Sequence, residues 1–178
     1  MRRVFVGLLL IAVLAWLAAS LPRHPPTPAR SAAAEDSAGA GVKAMRLFFG
    51  AADGDSLVLE SREMIEAAGV HDRVAGLVAE LDRGPRGRGV AVLPAGTSVL
   101  RVFLDDRGLM TLDLSGAFQQ RFRGGSSAEY LAVASLVRTL GANVPEVKRV
   151  LIICAGHPVA TLGGHLPLDR PLDVSDWP

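Results

Sequence analysis

The sequence predicts an α+β domain, a mixed β-sheet with two helices packed on one face, preceded by an N-terminal membrane segment. Three observations carry that expectation. Residues 4–19 are apolar apart from Gly7 and follow Arg2 and Arg3, the charged flank and hydrophobic run of an export signal. Residues 22–41 then place Pro22, Pro25, Pro26 and Pro28 ahead of an Ala/Ser/Gly-rich stretch with no face to bury, which reads as a spacer. Beyond it, apolar positions recur with a period of two in some stretches and near 3.6 in others, in the order β-β-α-β-β-α-β-β. The chain divides accordingly into 1–21, a signal anchor or signal peptide; 22–43, a linker; and 44–178, a single domain of ordinary size.

The first strand is expected from Met45 through Phe48 and Phe49 to Gly50, ended by the turn signal Asp53-Gly54-Asp55, with a second strand from Ser56 to Glu63. Val70, Val74, Leu77, Val78 and Leu81 recur at helical spacing, and Gly84-Pro85 stops that helix. After a glycine-rich connection, Leu100, Val102 and Leu104 share one side of a strand, with Arg101 on the other. Asp105-Asp106-Arg107-Gly108 turns the chain, and Met110, Leu112 and Leu114 alternate with Thr111, Asp113 and Ser115, completing a hairpin with one apolar face. This pattern puts Asp113 on the exposed side, where it stabilises a turn or pairs with an arginine. Ser126 and Glu129 stand at capping-box spacing at the start of a second helix, whose buried stripe is Tyr130, Val133, Ala134, Val137 and Leu140. The run from Val150 to Cys154 reads as a central strand covered on both sides, and Gly156-His157-Pro158 turns into a last strand at Val159–Leu162.

The apolar N-terminal run lies between a signal-peptide core and a full membrane span in length. Ala18-Ala19-Ser20 suits cleavage, but Leu21-Pro22 follows at once and disfavours it, so an uncleaved anchor is preferred over a cleaved signal, with Trp16 as its interfacial aromatic. Arg2 and Arg3 stay inside, which puts the domain outside the cytoplasm. The single cysteine, Cys154, lies in an apolar run, so no internal disulfide forms and no lipid-bearing cysteine stands near Ser20.

Charge excludes one class of partner. Of 19 basic and 18 acidic residues, five and two precede Ala44, leaving 14 against 16 in the domain. A near-neutral domain has no field to steer nucleic acid, and none is expected as partner. Lys43 and Lys148 are the only lysines. Arg83, Arg86 and Arg88, with Arg121 and Arg123 elsewhere, read as solvated loop charges, the alternative being a patch for phospholipid or wall polymer.

No catalytic machinery is visible. Of His24, His71, His157 and His165, the last two flank the last predicted strand with Asp169 beyond, but no helical i, i+4 pair or converging ligand set is evident. Ser126 and Ser127 follow two glycines without a Gly-x-Ser-x-Gly elbow or a His–Asp partnership, and capping accounts for Ser126. The same turn could hold an anion on free N–H groups. No catalytic, metal-binding or cofactor-binding residue is assigned, and no cofactor is implied.

Six stretches in order resemble the GerMN domain over about residues 44–172: Leu81-Asp82-Arg83-Gly84-Pro85 ahead of Leu93-Pro94-Ala95-Gly96-Thr97; Thr111-Leu112-Asp113-Leu114-Ser115; Gly124-Gly125-Ser126; Val137-Arg138-Thr139-Leu140; residues 147–159 with their Gly-x-Pro-Val turn; and Thr161-Leu162-Gly163-Gly164-His165 with Asp169-Arg170-Pro171-Leu172. The resemblance implies an exported bacterial domain of the sporulation and germination type, a fold similar to ring-building domains of envelope assemblies, and no known enzymatic activity. One copy is present, and Ala155 stands where many members have an aspartate. The expected function is a non-catalytic binding or assembly module at the cytoplasmic membrane, tethered through residues 4–21. It would work by contact with an envelope protein or with itself. The alternatives are a domain binding a cell-wall or lipid fragment, or a wall hydrolase, and export after signal cleavage in place of the anchor.

Overall fold

A computed structural model describes residues 41–177. In chain order these form β1 (Val42–Gly50), β2 (Leu57–Ile65), α1 (Val70–Arg83), β3 (Val99–Leu104), β4 (Leu109–Leu114), the short α2 (Ala117–Gln120), α3 (Ser126–Asn143), β5 (Arg149–Cys154), β6 (His157–Pro158), β7 (Leu172–Asp173) and a closing 3₁₀ turn (Val174–Asp176). The mixed α+β class is as expected. The predicted membrane segment, residues 4–21, lies outside the described residues, among which no helix is long and apolar enough to cross a membrane.

Local chemistry accounts for most elements. Asp53 folds the β1–β2 turn by accepting the N–H groups of Asp55 (3.0 Å) and Ser56 (3.2 Å), and β1 and β2 pair antiparallel from Val42↔Ile65 to Gly50↔Leu57. Helix α1 buries the predicted Val74, Leu77, Val78 and Leu81. Strands β3 and β4 form the predicted hairpin, with Met110, Leu112 and Leu114 fully enclosed, but a bulge between Val99 and Arg101 turns Leu100 away from the side it was expected to share with Val102 and Leu104, leaving it exposed; β5 joins β4 in parallel after α3 has crossed back.

The sheet is not continuous. β1 and β2 form one two-stranded sheet, and a second runs β3-β4-β5-β6, with β7 pairing the start of β5. The reason lies on α3, where Ser135, Thr139 and Asn143 recur every four residues and occupy one line along the helix. Asn143 accepts the Arg46 N–H (2.9 Å) and donates to the Arg46 carbonyl (2.7 Å). Thr139 accepts the Phe48 N–H (3.1 Å), and Ser135 donates to the Phe48 carbonyl. Gly50 exchanges two main-chain bonds with Val90. The edge of β1 therefore has its hydrogen bonds met by a helix and a loop, and no further strand is needed to satisfy it.

Helix α3 is buried on nearly every side. Val133, Ala134, Val137 and Leu140 face the core as expected, joined by Leu131 and Leu136. Tyr130 departs from the predicted stripe: it is 44% exposed and stacks on Trp177, ring centroids 5.0 Å apart. Strand β5 is central, but it alternates: Val150, Ile152 and Cys154 are buried against the core shared with α1 and α3, while Leu151 and Ile153 stay half-exposed. The last predicted strand is also corrected. Of that stretch only His157–Pro158 pairs with β5, and residues 159–162 run on outside any strand, the Leu162 N–H going to a side chain described below.

Candidate functional site

Two buried carboxylates order the C-terminal third of the domain. Glu129 lies at the N-terminal end of α3 but forms no capping box: the N-cap is Gly125, and no side chain caps it. Instead Glu129 is 0% exposed and accepts the N–H groups of Leu162 (2.8 Å) and His165 (2.9 Å), with His165 Nδ1 3.2 Å away. Burial alone would push its pKa up; N–H groups from Gly163, His165, Leu162 and Leu166 outweigh burial and hold it below the ordinary glutamate value. Gly163 is needed for this closure, because a Cβ there would come within 2.8 Å of the Phe122 ring and 3.2 Å of the Glu129 carboxylate.

Asp113 is the second. The hairpin alternation put it in solvent, yet it is 2% exposed, accepting the Gly156 N–H (2.9 Å) and two contacts from Arg101 (2.8 and 2.9 Å). It thus both stabilises a turn and pairs with an arginine. Burial again raises its pKa, and the Gly156 N–H and Arg101 outweigh it, so the carboxyl sits below its usual range. Both carboxylates work across long sequence separations, 33 and 36 residues for Glu129 and 43 for Asp113 with Gly156, which local spacing does not encode.

The other singled-out residues are dispersed. His24 lies outside the described residues. His71 pairs with Asp72 at the surface (3.1 Å), and His157 and Asp169 are exposed. Among the described residues no group of three His, Cys, Asp or Glu side chains could hold a metal ion. Cys154 is buried, and burial followed by the nearby Asp113 charge pushes its thiol up to about 11, so it is un-ionised at neutral pH. Ser126 is exposed on the first turn of α3. The arginine-rich loop is largely neutralised. Buried Arg62, 4% exposed, holds Glu60 and Glu80, and Glu80 also pairs with Arg83 and Arg86, while Glu60 accepts the N–H groups of Arg86 and Gly87. Arg121 and Arg123 donate to the main-chain carbonyls of Ala95 and Phe122.

One concave region stands out. A groove of about 650 Å³ is walled by residues 90–94 and by the first turn of α3, with Phe122, Leu131, Arg121, Arg123, Ser126 and Ser127 among its lining. It continues into two smaller concavities, about 260 and 250 Å³. The first shares Gly54, Ser126, Ser127 and Leu131 with it; the second shares Asp55 and Tyr130 with the first.

A family profile matches this arrangement of residues. Residues 46–160 fit the Germane family, described as sporulation and spore germination. The chain belongs to the Germane family. Its domain is of the GerMN type. Solved structures agree at the level of fold: the first GerMN domain of the sporulation protein GerM from Bacillus subtilis has a TM-score of 0.58 at 20% identity, with 74% of this chain and 97% of that one covered. The tandem GerMN domains of the same protein give 0.58 at 20% identity, covering 76% of this chain and 48% of that one, and a protein described as a lipoprotein from Clostridium perfringens gives 0.54 at 22% identity, covering 76% and 90%. Among curated proteins, none matches the sequence.

Within this Germane domain, stretches that carry the family resemblance meet around the groove. Leu93-Pro94 forms one wall, Gly125-Ser126 the opposite one, and the Thr161–His165 stretch is tied behind α3 by Glu129.

Proposed function

We propose that this protein is a non-catalytic module displayed outside the cytoplasmic membrane, tethered through residues 4–21, whose domain works by contact with another envelope protein or a second copy. The observation that carries the contact reading is β3. Among the described residues it has one strand neighbour, β4, and its other edge is unpaired. It exposes Phe103 (69%) and Leu100 (46%). Its one charge, Arg101, is spent on Asp113, so the edge lacks the unpaired lysine or proline that commonly blocks association. Half-exposed Leu151 and Ile153 extend the apolar surface on the same sheet.

Membership of a family described by sporulation and spore germination, and the fold shared with a protein described as a lipoprotein, support placement at the envelope. Here the one cysteine is buried in β5, so the tether proposed is the apolar segment and not a lipid. Fusion of alkaline phosphatase after Pro178 tests the topology: the fusion should be active and a cytosol-dependent fluorescent reporter at the same place dark. The reverse pattern contradicts it. The groove supports a second reading, a domain that binds a wall or lipid fragment. Turnover of peptidoglycan or chromogenic esters that is lost in Ser126→Ala would contradict both and favour a hydrolase.

A further inference from the structure

We infer that a second copy of this chain pairs antiparallel with the outer edge of β2, about a two-fold axis at Ser61. The surface is separate from the one proposed at β3, and the inference does not rest on that contact.

The hydrogen bonds show which main-chain groups are free. In β1 the N–H groups of Arg46 and Phe48 go to α3, and Gly50 exchanges bonds with Val90. Successive residues of a strand direct these groups to opposite edges, so Met45, Leu47 and Phe49 bond across to β2. Their partners there are Arg62, Glu60 and Val58. The N–H and C=O groups of Leu57, Leu59, Ser61, Glu63 and Ile65 therefore face outward, and among the described residues they meet no partner. The loop beyond α1 meets β2 through the Glu60 and Arg62 side chains, not through these groups. The edge runs for nine residues without a bulge, a proline or a lysine to blunt it.

The sequence of β2 selects its own copy as the added strand. Pairing about Ser61 sets Leu57 opposite Ile65, Val58 opposite Met64 and Glu60 opposite Arg62 of the second copy, with Ser61 meeting itself. Apolar residues thus meet at both ends, and opposite charges meet on either side of the axis. The one mixed pair, Leu59 with Glu63, lies on the exposed face. Sliding the strands by two residues sets Glu60 against Glu60 in one direction and Arg62 against Arg62 in the other. The Arg62 side chain is only 2% exposed and that of Glu60 19%, so like charges meeting there would be poorly screened and costly. A slide of one residue exchanges the faces, and longer slides surrender much of the overlap. The joint is about 30 Å long, with about ten main-chain hydrogen bonds, two from each closely spaced pair. A single strand edge is a small interface, so the test uses the full chain at its site in the cell.

The one native cysteine, Cys154, is buried, so an introduced cysteine supplies the accessible thiol. Cells expressing the full chain are oxidised with copper–phenanthroline and analysed on non-reducing gels. Ser61→Cys should give a disulfide-linked dimer, since Cα atoms about 5.5 Å apart are within disulfide reach. Leu57→Cys and Ile65→Cys should not dimerise alone, each lying about 27 Å from its counterpart, yet should crosslink to each other when co-expressed. Ser61→Lys changes an exposed side chain, so the melting temperature should hold. It puts two ammonium groups on the axis and should cut that mixed crosslink about tenfold. Phe103→Lys should leave the mixed crosslink unchanged, which separates this joint from the contact at β3. No dimer from Ser61→Cys overturns the inference, as does an equal yield from Ile65→Cys alone. Capture of a different protein by Ser61→Cys in place of the dimer, or a mixed crosslink that ignores Ser61→Lys, overturns it equally.

Discussion

Glu129 illustrates how much one side chain can organise. A carboxylate removed from water is costly unless its lone pairs are met, and here main-chain N–H groups of a single loop meet them. Glu129→Gln keeps the shape but turns an NH₂ group toward N–H donors, so it should cost about 2–3 kcal/mol in urea unfolding at neutral pH. The pH dependence has a defined sign. Glu129 and Asp113 both have folded pKa values below their ordinary ones, so the unfolded chain binds their protons more readily. The stability they contribute is full above the ordinary carboxylate range and is lost as pH falls through it toward the depressed folded values. Wild-type stability should therefore fall with acidification below about pH 5, and the fall should be shallower in Glu129→Gln; an equally steep acid limb in the variant would contradict the assignment.

Ala155 tells a different story at the same scale. With Gly156 it forms the two-residue turn between β5 and β6, and both residues have positive φ, 50° and 80°. Such turns favour Asn, Asp or Gly at their first central position, and an alanine in the left-handed region costs about 1 kcal/mol. An aspartate or asparagine would suit this position on turn geometry alone, without any chemistry. Ala155→Asn should raise stability by about 1 kcal/mol, read as a higher melting temperature; a lower one would mean the turn is of another type.

At the scale of elements, α1, the β3–β4 hairpin and α3 were legible because each buries residues at the period its geometry requires. What was hidden is the break between the two sheets. Ser135, Thr139 and Asn143 look like the solvated side of an amphipathic helix, and their partners lie 87 to 97 residues away on β1. Asp113 was misplaced for the same kind of reason: alternation assigns a side of the strand, but Arg101 and the β5–β6 turn cover that side locally. Tyr130 fits the helical period yet lies at the N-terminal end of α3, where the Trp177 ring and not the core receives it. Thr139→Val tests the edge-capping role directly. It keeps the volume and strands the buried Phe48 N–H, so it should destabilise by about 1–3 kcal/mol. Hydrogen exchange at Phe48 should quicken with it, and a neutral substitution would show that β1 does not depend on the helix.

For the whole molecule, the fold and the family were legible because motif order survives where pairwise contacts cannot be read. The groove was not, since its walls come from three separate stretches and only the fold brings residues 90–94, the β1–β2 turn and the start of α3 together. The central claim is that the domain acts through protein contact at β3. The most direct measurement places a photo-crosslinking residue in the membrane-tethered chain at Phe103, at Ile65 on the other hairpin, and within the linker at Thr27, and irradiates intact cells. Tethering raises effective concentration, so contacts weak in dilute solution are still captured. The account predicts a discrete dimer or partner band from Phe103, abolished by Leu100→Lys and absent from Thr27. Bands of equal strength from all three positions, or none from Phe103, would contradict it.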